Sequence, residues 1–176
     1  MKRVVFILII IALLFFVYKS FAQTNYFEIA KERTTMYNPK RKDVVIIIDY
    51  QKNIFLERLF VIDMKTRKII LSTKVSHAWN SGFLTPDLYS NEFGSNKTSK
   101  GNYITQGTKY GNFGYSMIIK GLDHGINNNA KSRLIIFHPN TKMKTLWSNG
   151  CFATSEEINR KLIDLTKGGV LVCVID

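Results

Sequence analysis

The 176-residue chain is long enough for one domain with its own hydrophobic core, and its 25 lysine and arginine residues outnumber its 13 acidic residues, giving a net charge of +12. Only two cysteines occur, which excludes a small scaffold held together by disulfides. Neither zinc-finger spacing nor an RNA-recognition sequence accompanies the charge, so the composition does not predict a nucleic-acid-binding protein.

The first 22 residues have the pattern of a secretion signal. Lys2 and Arg3 precede an unbroken apolar run over residues 4–17, and residues 20–22 supply the small side chains that a signal peptidase recognises. The run is short for a membrane-spanning helix, which needs about 20 apolar residues. Cleavage after Ala22 is therefore the preferred interpretation, and an uncleaved membrane anchor through residues 4–17 is the alternative. In both cases the folded part is predicted to be exported.

The charge of the exported part favours an anionic partner. Without residues 1–22, 22 basic and 13 acidic residues remain, a net charge of +9. In the cell envelope, the anionic material available to such a domain is lipid headgroups and cell-wall polymer, whereas nucleic acid is absent. A well-solvated surface is the simpler explanation of the same charge, because the lysines are scattered along the chain.

The remaining sequence predicts a β-rich domain over residues 44–176, preceded by a lead-in over residues 23–43 that is a short helix or an extended segment. Apolar, β-branched segments separated by turn residues predict an antiparallel meander at 44–50, 58–64 and 68–78. Further strands are predicted at 102–106, 114–119, 133–138 and 169–175. Glycine, asparagine and serine concentrate between them, so long loops are expected on a β scaffold.

One main helix is predicted near the C-terminus. Thr154 and Glu157 have the spacing of a capping box, and Gly168 provides a stop. The apolar stripe of this helix is expected to be Ile158, Leu162 and Leu165. A helix that starts so soon after Cys151 would direct free N–H groups and a favourable potential towards a thiolate there.

The two cysteines have different contexts. Cys173 lies in an apolar strand, where a small buried residue is expected, whereas Cys151 follows a polar bend that contains Ser148, Asn149 and Gly150. The polar placement favours a nucleophile at Cys151, with pairing of the two cysteines as the alternative.

A nucleophilic cysteine needs a base, and three histidines are candidates. His138 ends a predicted strand 13 positions before Cys151, close enough for a return loop to bring the two together. A structural role for His138 is an equally good interpretation of its spacing alone. His77 also ends a strand, as a rim or supporting residue, and His124 is expected to be exposed. No HxxxH or CxxC pair occurs, so no metal site is predicted.

The segments "IIFHPN" and "WSNGCFA" together resemble the signature of the YkuD-type L,D-transpeptidases, cysteine enzymes of the bacterial cell wall. Residues 48–82, 88–105 and 114–130 also resemble the murein L,D-transpeptidase catalytic-domain branch of that family, in the same order along the chain. The resemblance runs from about Val45 to the C-terminus. It implies a mixed sheet or sandwich with one main helix near the C-terminus, and a location in the periplasm or cell envelope.

The resemblance also implies roles for individual residues. Cys151 matches the nucleophile and His138 the base, while Ser148, Asn149 and Gly150 match the loop that supports an oxyanion hole formed by amides near Gly150 and Cys151. The candidate substrate contacts are Lys97, Lys120 and His77. The implied substrates are peptidoglycan stem peptides. The protein is expected to need no cofactor and to be a monomer. The chain departs from the usual family pattern at Asn149, at Lys120 and in its short segment between His138 and Cys151.

Two other functions fit parts of the sequence. A sortase-like transpeptidase would use Cys151, His77 and Arg160, although Arg160 falls on the predicted helix rather than on a strand. A non-catalytic domain on the same scaffold would bind cell-wall polymer through its charge. A papain-like peptidase fits less well, because its cysteine precedes its histidine along the chain.

Overall fold

The computed structural model describes residues 2–140 and 146–176, with side chains in the first helix given at positions 5–11, 14 and from 25 onwards. The elements named in the described residues are two α-helices, a short 3-10 turn and eight strands. In chain order these are α1 (Lys2–Tyr37), β1 (Arg41–Asp49), β2 (Leu59–Asp63), β3 (Lys68–Thr73), the 3-10 turn Trp79–Ser81, β4 (Gly101–Gly111), β5 (Gly114–Gly121), β6 (Ile136–Pro139), β7 (Phe152–Thr154), α2 (Glu156–Thr166) and β8 (Val170–Ile175).

The described strands form one mixed sheet in the order β3-β2-β1-β8-β4-β5-β6-β7. The predicted meander is confirmed, because β1, β2 and β3 pair antiparallel in sequence. β8 lies parallel to β1 and antiparallel to β4, and so joins the meander to the second half of the sheet. The last pair, β6 and β7, is parallel. The predicted fold class, a β-rich mixed sheet with a helix near the C-terminus, is confirmed.

Both faces of the central strands are buried. β1 contributes Val44, Ile46 and Ile48 to one core and Val45 and Ile47 to the other. Helix α2 covers the first core, and the C-terminal part of α1 covers the second. Because helices cover both faces, β8 and residues 44–48 of β1 are apolar at consecutive positions instead of alternating with polar residues.

The N-terminal helix is longer than the sequence predicted. The lead-in at 23–43 is helical up to Tyr37, where Asn38 ends α1 with a positive φ of 44° and donates its N–H to the Thr34 carbonyl at 3.0 Å. Among the described residues, no helix is both long and apolar enough to cross a membrane. The side chains of residues 20–22 lie outside those described, and a cleaved signal or anchor over residues 1–22 stays a prediction.

Two expectations for the C-terminal helix were wrong. Thr154 lies in β7, and α2 is preceded by Ser155, whose side chain makes no capping hydrogen bond. The buried face follows the spacing i, i+3, i+4, i+7 and consists of Asn159, Leu162, Ile163 and Thr166. Of the expected stripe, Leu162 is fully buried, whereas Ile158 is half-buried and Leu165 is exposed. The inserted strand β7 shifts the start of the helix and therefore rotates its face.

Candidate active site

Adjacent parallel strands carry the candidate nucleophile and base. His138 in β6 pairs with Ala153 in β7, and Cys151 immediately precedes β7. Since side chains two positions apart on a strand share a face, Cys151 lies on the same side of the sheet as Ala153 and His138, about 6–7 Å further along the strand direction. The fold thus brings together the two residues that the sequence singled out for acyl transfer.

Two serines fix the backbone at Cys151. The Cys151 carbonyl accepts hydrogen bonds from Ser148 Oγ at 2.7 Å and from Ser76 Oγ at 3.0 Å. Ser76 Oγ also accepts the Ala153 N–H at 2.8 Å, and the Ser76 N–H donates to the Ala153 carbonyl at 2.9 Å. The segment at Ser76 therefore holds the peptide on the C-terminal side of Cys151 in one orientation.

Glycine is required at position 150 for two reasons. Its φ of 123° lies in the region that side-chain-bearing residues avoid. A Cβ atom there would stand 2.9 Å from Ile135 Cδ1 and 3.1 Å from the Lys97 carbonyl oxygen.

The Gly150 N–H donates to Ser148 Oγ at 3.1 Å. Because that amide already has an acceptor, the Cys151 N–H becomes the stronger candidate donor for an oxyanion.

The Cys151 thiol is held neutral in this structure. Sγ donates to the Leu134 carbonyl at 3.5 Å, and Leu134 has a positive φ of 58° that turns this carbonyl towards the thiol. Burial raises the thiol pKa above its ordinary value, opposed by the Ile136 N–H and by the charges of Arg133 and Lys109. Helix α2 begins five residues after Cys151, beyond β7, so the expected thiolate at a helix N-terminus is wrong.

His138 is oriented to accept a proton. Its Nδ1 lies 2.9 Å from the Pro139 carbonyl. A carbonyl can only accept, so Nδ1 carries the hydrogen and Nε2 is the basic nitrogen of the neutral ring. Burial lowers the His138 pKa below its ordinary value, which keeps the ring neutral at physiological pH. The Phe113 ring covers it with centroids 4.5 Å apart.

A cavity of about 330 Å³ opens over the pair. It is lined by Trp79, Phe113, His138, Trp147, Ser148, Asn149 and Cys151. One wall is an aromatic cluster in which the Trp79 and Trp147 rings meet edge to face at 4.7 Å and Phe83 stacks on Trp147 at 5.1 Å. The Trp147 indole N–H donates to the Phe83 carbonyl at 2.9 Å, which fixes the orientation of that ring. The lining thus combines aromatic side chains with the Cys151 thiol and the His138 imidazole.

His77 lies inside the fold, away from the cavity lining. It is fully buried, with Nδ1 2.7 Å from Arg58 Nη2 and Nε2 2.8 Å from the Gly82 carbonyl. Arg58 can only donate, so Nδ1 accepts and Nε2 carries the hydrogen. Burial lowers the His77 pKa to about 4. These bonds tie the segment after β3 that carries Ser76 to the loop at Gly82, which is a structural role.

The other expected site residues are spread around the cleft. Asn149 is exposed and lines the cavity. Lys97 reaches the site through its carbonyl, which contacts the Gly150 turn, and its side chain is not part of the cavity lining. Lys120 is an exposed residue of β5, also outside the lining. His124 is exposed, as expected. Residues 141–145, in the short segment between His138 and Cys151, lie outside the described residues.

Sequence reasoning missed several residues that build this site. Ser76 holds the Cys151 carbonyl, Phe113 covers His138, and Trp79 with Trp147 forms a cavity wall. The aromatic residues carried a usable signal, because large rings in turns such as "GNFG" and "AWNSG" have no strand or helix face on which to be buried.

Cys151 and Cys173 are both free thiols, and Cys173 is buried in β8. Among the described residues, no group of three histidine, cysteine or acidic side chains could hold a metal ion.

A family model described as the L,D-transpeptidase catalytic domain matches residues 19–174. The chain belongs to this family. The match covers β1 to β7, all but the last residue of β8 and both residues of the candidate pair, and it extends back into α1, beyond the resemblance noted from the sequence. No significant match was found among curated proteins.

Solved structures share the fold of this L,D-transpeptidase domain. Pgp2, the helical cell shape determining protein of Campylobacter jejuni, is 14% identical with a TM-score of 0.53, covering 78% of this chain and 49% of its own. The Ldtfm–avibactam carbamoyl enzyme is 15% identical with a TM-score of 0.50, covering 76% of this chain and 49% of its own. The chain thus spans about half the length of these structures, and at these identities the likeness shows the fold alone.

Proposed function

We propose that the chain is a cell-wall L,D-transpeptidase that acts on peptidoglycan stem tetrapeptides through a thioester on Cys151. The observation that carries the proposal is that Cys151 and His138 line one cavity, with His138 Nδ1 bonded to the Pro139 carbonyl and Nε2 left as the base. Membership of the L,D-transpeptidase family supports the same reaction class.

The reaction follows from the protonation states of the pair. The Cys151 thiol transfers its proton to His138 Nε2 as sulfur attacks the carbonyl of the third stem residue. The developing oxyanion is stabilised by backbone donors, with the Cys151 N–H as the main candidate. The C–N bond to the terminal D-alanine then breaks, and that amine leaves with the proton held by His138. An amine of a second stem resolves the thioester to form a cross-link, or water resolves it to give a trimmed stem.

Further parts of the proposal concern location and assembly. We expect the protein to be exported to the periplasm or cell envelope, as a monomer, with residues 1–22 either removed or retained as a membrane tether through residues 4–17. Peptidoglycan is the expected partner, and no cofactor takes part in the mechanism. N-terminal sequencing of the protein recovered from the envelope distinguishes removal from retention.

The test is intact-protein mass spectrometry after incubation with a stem tetrapeptide under reducing conditions. The expected result is an adduct with the mass of the tetrapeptide minus D-alanine, mapped to Cys151. Cys151→Ala and His138→Gln should abolish it, whereas the matched controls Cys173→Ala and His124→Gln should retain it. Avibactam, which forms a carbamoyl enzyme with Ldtfm, offers a second covalent probe of the same thiol.

Two outcomes would contradict the proposal. A reduced, alkylatable Cys151 that forms no adduct would leave the chain as a wall-binding domain, and sedimentation of Cys151→Ala with purified peptidoglycan would then test that role. Adduct formation that requires Arg160 would favour the sortase-like alternative. Arg160 is an exposed residue of α2 whose guanidinium lies over the Tyr115 ring at 5.7 Å, and it is not part of the cavity lining.

A further inference from the structure

Arg133 carries a positive charge beside the nucleophile without a negative partner. Its guanidinium is half-buried and donates to the Ser90 carbonyl at 2.6 Å, the Lys97 carbonyl at 2.7 Å and Ser95 Oγ at 3.2 Å. All of these acceptors are neutral, and in the described part of the chain no carboxylate forms an ion pair with Arg133. Partial burial of an unpaired charge is costly, and an anion that forms nearby would offset that cost.

The guanidinium lies under the turn that presents the thiol. Arg133 Nη2 is 3.7 Å from the position that a Cβ atom would occupy on Gly150, the residue before Cys151. From the other side, Cys151 Sγ contacts the carbonyl of Leu134, which follows Arg133 in the chain. Hydrogen bonds to the loop at 95–97 fix the Arg133 guanidinium, and the Leu134 carbonyl contacts the thiol. The charge is therefore held close to Cys151.

We propose that Arg133 is a positioning residue that stabilises the Cys151 thiolate as it forms, by holding an uncompensated positive charge beneath the Gly150–Cys151 turn. The inference rests on the proposed function, because it takes Cys151 as the nucleophile. The bond changes are those of acylation: the thiol proton moves to His138, and the negative charge left on sulfur is stabilised by Arg133 until the carbon–sulfur bond forms.

Other groups around the thiol have distinguishable effects. Lys109, His138 and the Ile136 N–H also face it. Salt in the molar range shortens the Debye length to about 3 Å and screens exposed charges such as Lys109, whereas a half-buried charge is screened much less. The contribution of Arg133 should therefore persist in high salt.

The test measures the alkylation rate of Cys151 by iodoacetamide against pH, in low and high salt, with peptide mapping. This assay needs no stem peptide, so it reports on Arg133 even if acylation fails. We expect Arg133→Gln to slow alkylation about tenfold at pH 7 and to move the midpoint of the pH profile upwards. Arg133→Lys should restore most of the rate. The control Lys131→Gln, which removes an exposed charge from the same loop, should stay within about twofold.

A second pair of variants leaves Arg133 in place, in case its replacement prevents folding. Ser95→Asp places a carboxylate against the guanidinium and should slow alkylation, whereas the near-isosteric Ser95→Asn should not. The inference is overturned if folded Arg133→Gln keeps the wild-type profile, if Arg133→Lys is as slow as Arg133→Gln, or if Ser95→Asp matches Ser95→Asn.

Discussion

The two hydroxyls on the Cys151 carbonyl should contribute cooperatively to stability. Ser148→Ala removes one donor from that carbonyl and leaves the buried Gly150 N–H without its acceptor. A net hydrogen bond contributes about 1 kcal/mol, and an orphaned buried donor costs about 1–3 kcal/mol. We therefore expect Ser148→Ala to lower the free energy of unfolding by about 2–3 kcal/mol, which is roughly 5–10 °C in Tm for a chain of this size.

Ser76→Ala should cost a similar amount, because it removes the other donor and orphans the Ala153 N–H. In each single variant the Cys151 carbonyl keeps one hydroxyl, but in the double variant it has neither. The double variant should therefore lose about 1 kcal/mol more than the sum of the two single variants.

The assay is urea unfolding followed by circular dichroism for wild type, both single variants, the double variant and a control, Ser132→Ala. Ser132 is exposed, and its hydroxyl donates to the Asn129 carbonyl at 2.9 Å, so its removal should change stability by less than about 0.5 kcal/mol. Strict additivity in the cycle would refute the shared-acceptor argument. A loss for Ser148→Ala no larger than that of the control would refute the role of Ser148 itself.

Other predictions concern single residues. Gly150→Ala should destabilise the fold by about 2–3 kcal/mol and abolish acylation, because the added methyl meets both a forbidden φ and close contacts, as denaturation and mass spectrometry would show. The pKa of His77 is about 4 in the folded state and near its ordinary value in the unfolded state, so the unfolded state binds an extra proton between these values. The Tm should therefore fall as the pH drops from about 6.5 towards 4, and it should fall less in His77→Gln. Burial raises the pKa of Cys173 to about 12, so a thiol reagent should label Cys151 in the folded protein and both cysteines only after unfolding. The lowered His138 pKa should place the acid limb of the acylation rate below pH 6.5, and a midpoint above that value would contradict a neutral base.

The strands were predictable because their side chains carry the signal. β1 is apolar from Val44 to Ile48 and β8 is apolar throughout, and turn residues separate β1, β2 and β3. The prediction of a strand beginning at Arg133 failed because residues 131–134 form a turn with Leu134 at a positive φ, so that β6 starts only at Ile136. Nothing in the side chain of a leucine indicates that conformation, which is imposed by the tertiary bonds of Arg133.

The roles of Cys151 and His138 were suggested by local context, whereas their surroundings depend on pairings between distant segments. Ser76 lies 75 positions from Cys151 and contacts it only because the segment after β3 runs beside β7. His77 was expected to be a rim or supporting residue, with substrate contact as one candidate role. Arg58 and the Gly82 carbonyl bond both of its ring nitrogens in the interior, which fits a supporting role rather than one at the rim.

The electrostatic state of the pair is the step at which sequence and structure diverge most. The sequence favoured a thiolate at a helix N-terminus, but burial acts on both members of the pair towards neutrality, raising the pKa of Cys151 and lowering that of His138. From these neutral states, the thiol proton has to pass to His138 for the thiolate to form. The charge of Arg133 gains most of its favourable energy only when the thiolate forms. Interactions that strengthen towards the transition state lower the activation barrier. A preformed ion pair between Arg133 and the thiolate would instead stabilise the ground state as well, and would lower the barrier less.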